Sequence, residues 1–168
     1  MRLGIALGSN LGDRLAQLAA ARERIAAIPG VSGPMISSRI YETEPVQSEP
    51  GAGAFLNAVL EVEYDGDATT LAKHLQAIEA QLGRPPERPR NASRVIDLDV
   101  LYVGDLVLDR EELTIPHPRL HLRRFVLAPL AELRPDLTLP LHTRSVRELL
   151  AELPETPAVA VAGHQWTV

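Results

Sequence analysis

Apolar residues recur along this chain in an alternation of two periods. Leu3, Ile5 and Leu7 alternate with Gly4, Ala6 and Gly8, which is the period of a strand. From Asp13 onward Leu15, Leu18, Ala21, Ile25 and Ile28 follow helical spacing, until Pro29-Gly30 stops the helix. Met35–Tyr41 predicts a second strand. Glu42–Ala54, with its prolines and glycines, predicts a loop. Period two returns over Phe55–Tyr64: Leu56, Ala58, Leu60, Val62 and Tyr64 share one face, and Phe55, Asn57, Val59, Glu61 and Glu63 the other. A second helix runs from about Asp67, with Leu71, Leu75, Ile78 and Leu82 as its buried stripe and Gly83 closing it. Arg84–Ser93 is too rich in proline for regular structure. Val95–Val103 is a strand on which Ile96, Leu98, Val100 and Tyr102 face one way and Asp97 and Asp99 the other.

The order β-α-β-β-α-β predicts an α+β fold: a ferredoxin-like split βαβ sandwich, its antiparallel sheet covered by helices on one face. No repeat or linker interrupts it, so a single domain over residues 1–168 is expected. Leu106–Leu108 is expected to pair back across Gly104-Asp105 as a hairpin. An arginine-rich turn (Pro116–Arg124) comes next, then short helices near Phe125–Leu133 and Ser145–Leu153 and an edge strand at Ala158–Val161. The tail after about residue 153, Trp166 included, carries no functional prediction. The sheet face away from the helices would present Gly4, Ala6, Asn57, Asp97 and Asp99. Small and polar residues there predict a binding floor rather than a second core.

Composition narrows the chemistry. Seventeen basic against 22 acidic side chains leave a net charge of −5, which argues against nucleic acid or an anionic membrane as partner. With no cysteine, thiolate metal sites, disulfides and a cysteine nucleophile are excluded. No apolar run has the length of a signal core or a membrane span, so the cytoplasm is the expected compartment. Lys73 is the only lysine and no Gly-Lys-Ser/Thr triplet occurs, so a phosphate loop of the Walker type is absent. Any phosphate would be handled by arginine forks and metal.

Asp97 and Asp99 supply the metal half of that chemistry. On one strand face their Cα atoms lie about 6–7 Å apart, and two carboxylates so close repel unless a cation sits between them. Magnesium suits the pair, because it takes one or two carboxylates and fills its shell with water and substrate phosphates. Half of the chain's arginines fall between Arg84 and Arg124, in two clusters (Arg84–Arg94 and Arg119–Arg124) that bracket the aspartate strand. Guanidinium forks bind phosphate oxygens bidentately. Together these features describe a polyphosphate clamp. Asn57 offers a donor and an acceptor in one plane for the edge of a heterocycle, and the two phenylalanines, Phe55 and Phe125, are candidates to stack on a ring. His117 and His121 are four apart, but Pro116 and Pro118 disfavour a helix there, and His117 reads as a phosphate donor.

Taken in order, Ile5-Ala6-Leu7-Gly8-Ser9-Asn10, Tyr41-Glu42-Thr43-Glu44-Pro45, Phe55-Leu56-Asn57-Ala58, Arg94-Val95-Ile96-Asp97-Leu98-Asp99, Leu113-Thr114-Ile115-Pro116-His117-Pro118-Arg119 and Phe125-Val126-Leu127-Ala128-Pro129-Leu130 resemble the 6-hydroxymethyl-7,8-dihydropterin pyrophosphokinase family of folate biosynthesis. The resemblance implies transfer of a pyrophosphoryl group from ATP to the pterin's hydroxymethyl oxygen, releasing AMP. It implies that Asp97 and Asp99 hold two Mg²⁺ ions and that Arg84 and Arg94 act with them in catalysis. ATP would be bound by Gln76, Glu79, Arg84, Arg94, Ile96, Thr114, His117, Arg119 and Arg123. Thr43, Glu44, Pro45, Val46, Phe55, Asn57 and Phe125 would form the pterin pocket. A monomer is expected, with Glu42–Ala54 and Arg84–Ser93 closing over the phosphates. Arg90-Asn91-Ala92-Ser93-Arg94 stands where many relatives carry R-W-G-P-R, which predicts looser closure of that loop. Two rivals fit less well: a nucleotidyltransferase would place its Gly-Ser turn close in sequence to its aspartates, and an RNA-recognition module would need a basic, aromatic sheet.

Overall fold

The computed structural model describes residues 1–44, 53–83, 95–163 and Trp166. Its elements run β1 (Arg2–Ser9), α1 (Arg14–Ala26), β2 (Val31–Ser37), β3 (Tyr41–Thr43), β4 (Phe55–Tyr64), α2 (Ala68–Gln81) and β5 (Asp97–Val103). Then come β6 (Leu108–Asp109), β7 (Thr114–Ile115), a 3-10 turn (Leu120–Leu122), α3 (Arg124–Leu133), α4 (Val146–Glu152) and β8 (Val159–Val161). The main sheet is ordered β5-β1-β4-β3-β8, with β2 also paired to β4, and every pairing is antiparallel. This is the split βαβ arrangement. Both long helices begin where an aspartate caps them: Asp13 accepts from the Ala16 N–H and Asp67 from the Thr70 N–H, each at 3.1 Å.

α1 and α2 bury Leu18, Ala21, Ile25, Leu71, Leu75 and Ile78 against Leu3, Ile5, Leu7, Leu56, Leu60 and Val62 of the sheet. Here the predicted faces hold. The other face departs from expectation, because helices cover it too. Val126, Leu127 and Leu130 of α3 and Val146 of α4 form a second core with Val59, Leu101, Tyr102, Leu120 and Leu139. The bare floor survives only toward the end of the sheet that carries Gly8, Asn57 and Asp97.

A β-bulge makes the second core possible. Ile5 lies opposite Val100 and Gly4 opposite Tyr102, so Leu101 is an extra residue on β5. The inserted residue reverses the alternation, and Tyr102, expected beside Ile96, turns to the opposite face. Its ring lies flat over Gly4, where a Cβ would stand 2.4 Å from Tyr102 Cε1. The phenol donates to Glu61 Oε2 at 2.6 Å. That carboxylate, 2% exposed, is gripped by Arg134, whose Nη2 lies 2.5 Å from Oε1, and by Arg2 Nε at 3.4 Å. A buried carboxylate persists because it is paired and hydrogen-bonded. Burial first, and the bonded Glu61 second, hold the Tyr102 phenol far above its ordinary pKa.

The expected strand Met35–Tyr41 is instead two strands. Ser38 breaks it: its N–H donates to the Val59 carbonyl and its Oγ accepts from the Val59 N–H, both at 2.9 Å. A side chain has replaced one rung of the ladder, and the backbone re-enters as β3. The expected hairpin across Gly104-Asp105 does not form; β6 pairs with β7 instead. The edge strand predicted at Ala158–Val161 is present as β8, paired with β3.

Candidate active site

Cross-strand register builds the site. Gly8 at the end of β1 lies opposite Asp97 of β5 on one side and opposite Asn57 of β4 on the other. Residues directly opposed share a face, and strands lie about 4.8 Å apart, so Asp97 and Asn57 stand about 10 Å apart with only a glycine between them. A Cβ on Gly8 would be 3.0 Å from Asn57 Nδ2 and 3.7 Å from Phe55 Cδ1. The row continues to Tyr41, opposite Asn57 on β3, with Thr43 opposite Phe55 beside it.

Asp97 and Asp99 line a cavity of about 310 Å³ together with Ala72, Gln76 and Glu79 of α2 and Thr114 and His117 beyond β5. Ala72, Gln76 and Glu79 occupy successive turns of one helix face, which explains why they meet the cavity together. Glu111 and Glu112, in the turn between β6 and β7, line it as well. They carried no motif and were missed by the sequence reading. Its wall therefore carries five carboxylates, and a polyphosphate enters such a wall only with positive charge beside it.

Glu79 has a more definite position than the nucleotide contact the resemblance implied. It is 9% exposed and its Oε2 accepts the Leu98 N–H at 2.8 Å. β5 is the sheet's edge strand, so this carboxylate supplies a missing partner for the backbone between the two aspartates. The Ile96 side chain is fully buried in the helix-side core.

His117 lines the cavity beside the aspartates. Burial, reinforced by the Arg123 guanidinium, lowers its pKa to about 4 against the opposing pull of Asp97. Its Nδ1 accepts the Arg119 N–H at 3.1 Å, so in the neutral ring the proton sits on Nε2. Arg123 Nη1 lies 3.9 Å from Asp99 Oδ2 and its guanidinium covers the Phe125 ring at 5.6 Å. Arg119 is exposed near His117.

At the Asn57 end, polar atoms are buried without partners. Asn57 is 5% exposed, and Asn57 Oδ1, Thr43 Oγ1 and Ser9 Oγ all lack a hydrogen bond. An unsatisfied buried acceptor costs about 1–3 kcal/mol, and a ligand edge would recover it. Ser9 was not assigned to the site from sequence. Phe55 and Phe125 are both half-buried, Phe125 against the second core. Glu44 is exposed. The remaining expected residues, Pro45, Val46, Arg84 and Arg94, lie outside the described residues, as do residues 45–52 and 84–93, where closure over the phosphates was expected.

Magnesium fits the donor set. Asp97 and Asp99 offer hard carboxylate oxygens on one strand face, the donor type magnesium takes, and among the described residues no group of three or more His, Cys, Asp or Glu side chains converges as a metal cage. Among them, too, no helix is long and apolar enough to cross a membrane.

Comparison with known proteins gives the family. A family model for 7,8-dihydro-6-hydroxymethylpterin-pyrophosphokinase (HPPK) matches residues 4–135. A 2-amino-4-hydroxy-6-hydroxymethyldihydropteridine pyrophosphokinase of Methylorubrum extorquens is 44% identical over 153 residues, covering 90% of this chain and 93% of that protein. One from Bacillus subtilis is 43% identical over 129 residues, 77% of this chain and 75% of its own. Among solved structures, wild-type Plasmodium falciparum HPPK-DHPS with pteroate shares the fold at a TM-score of 0.67 and 15% identity, over 90% of this chain. The chain spans 42% of that longer protein. On the family match and these identities, the chain belongs to the 7,8-dihydro-6-hydroxymethylpterin-pyrophosphokinase family.

Proposed function

We propose that this protein transfers the pyrophosphoryl group of ATP to 6-hydroxymethyl-7,8-dihydropterin, a step of folate biosynthesis. The pterin's hydroxymethyl oxygen bonds to the β-phosphorus, the bond from that phosphorus to the α,β-bridging oxygen breaks, AMP leaves, and the hydroxyl proton passes to solvent. One observation carries the reading: the row Asp97–Gly8–Asn57 sets a carboxylate and a planar amide on a common floor, one bare residue apart. That is the span between a phosphate chain and the edge of a bicyclic ring.

Asn57 and Thr43 would read the ring edge with the atoms that now lack partners, while Phe55 and Phe125 bound the ring. His117 Nε2–H and Arg123 would hold phosphate oxygens, Arg119 would add charge at the rim, and Gln76 and Thr114 would line the nucleotide's path. Glu44, Pro45 and Val46 would close the pterin side, and Arg84 and Arg94 the phosphate side. Asp97 and Asp99 would hold magnesium, two ions in the full complex, which offsets phosphate charge and polarises the transferred group. No side chain is needed as a strong base. What these residues contribute is alignment, holding the hydroxyl and the β-phosphorus in line.

Incubation of the protein with Mg-ATP and 6-hydroxymethyl-7,8-dihydropterin tests the reading. AMP with pterin pyrophosphate is expected. ADP would make it an ordinary kinase, free pyrophosphate a nucleotidyltransferase, and either product refutes the proposal.

A further inference from the structure

None of the described residues after Leu153 lines the cavity, yet their strand is fastened to the site. We propose that Ala158–Ala162, together with Trp166, act as a latch that sets pterin affinity by holding β3 in register against β4. The inference rests on the assignment of Thr43, Phe55 and Asn57 to the pterin.

β3 is only three residues long, and its inner edge meets Phe55–Asn57, the residues of the pterin floor. Its outer edge meets β8, with Tyr41 opposite Val161, Glu42 opposite Ala160 and Thr43 opposite Val159. Two further bonds extend the zipper at both ends: Glu44 N–H to the Ala158 carbonyl at 3.3 Å and Ala162 N–H to the Ile40 carbonyl at 2.8 Å. Strands this short do not hold their register by themselves, so pairing on both edges matters here. Trp166 then pins the far end. Its indole N–H donates to the Ser38 carbonyl at 2.7 Å, and the Arg22 guanidinium of α1 lies 4.3 Å over its ring. Ser38 is the residue that breaks β2 from β3, so the tryptophan grips the hinge from which β3 departs.

The same segment buries little of itself. Val161 is 47% exposed and Ala160 is exposed, so β8 adds few apolar contacts to the core. Segments held by backbone pairing and one anchor open at low free energy, and a pocket wall that opens with them weakens its ligand by the fraction of time it is open. Trp166 is thus a positioning residue for Thr43 and for the β4 residues beside it.

The test uses the full chain with Trp166→Leu, and with Arg22→Ala as a variant that keeps the indole. Titration with 6-hydroxymethylpterin and, separately, with Mg²⁺ and α,β-methylene-ATP gives the two affinities; hydrogen exchange reports Tyr41–Glu44. We expect pterin binding at least fivefold weaker in Trp166→Leu, nucleotide binding within twofold, and faster exchange at Tyr41–Glu44, with Arg22→Ala intermediate. Unchanged exchange there, unchanged pterin affinity, or equal loss of both ligands overturns the latch. A wild-type protein that fails to bind the pterin overturns the functional assignment, and the latch's role with it.

Discussion

Gly8→Ala places one methyl group where the proposed reaction needs none. The backbone at Gly8 has no left-handed dihedral, so alanine fits the strand and by propensity gains about 0.5–1 kcal/mol over glycine. Its Cβ would sit 3.0 Å from Asn57 Nδ2, a few tenths of an ångström inside ordinary contact, with Phe55 Cδ1 at 3.7 Å. The amide is the softer neighbour and must turn or retreat. Two hydrogen bonds from Asn57 to a ring edge, at about 1 kcal/mol each, would be lost or bent. About 2 kcal/mol is roughly thirtyfold in affinity. Titration of the folded variant should therefore show pterin binding weakened by that factor, nucleotide binding within about twofold, and a thermal midpoint close to wild type. A variant that binds pterin as tightly as wild type would refute the idea that Gly8 keeps the floor clear for a ligand read by Asn57.

The pair of aspartates and the neutral histidine give two more expectations. Asp97→Ala should lower turnover by about a thousandfold or more, the scale of losing a main electrostatic element, while unfolding in urea stays cooperative; near-normal turnover in a folded variant removes Asp97 from the mechanism. His117, whose folded pKa of about 4 lies below the unfolded value near 6.5, binds its proton more readily when unfolded. Stability should thus rise as pH increases from 4 to 6.5 and then level off as far as this group is concerned. His117→Asn should flatten that part of the profile, and an NMR midpoint near 6.5 in the free protein would contradict the buried, neutral ring.

Much of this architecture is legible in the order of residues because side-chain alternation is a local property. Phe55–Tyr64 declares its two faces, Asp13 and Asp67 announce their helices, and the polar pair inside Val95–Val103 stands out from its apolar neighbours. Asp97, Asn57 and Phe55 fall on one side of the sheet by alternation alone, and cross-strand register brings them together, whereas Thr43, expected in a loop, stands on β3 opposite Phe55. Glu111 and Glu112, by contrast, resemble any exposed acids in a turn; only the pairing of β6 with β7 carries them to the cavity. Ser38 looks like an ordinary strand serine until its hydroxyl is seen taking a backbone's place.

From the residues alone came the two periods, the faces they define, and therefore the sandwich and its aspartate pair; these depend on neighbours within a few positions. Tertiary contacts decided the bulge at Leu101, the core on the far face, the carboxylate of Glu79 on the Leu98 amide, and the pairing of β8 with β3. Each of these answers a demand that an isolated segment cannot express. An exposed apolar face must find a cover, and an edge amide must find an acceptor. The partner that serves lies far along the chain, and only folding brings it there.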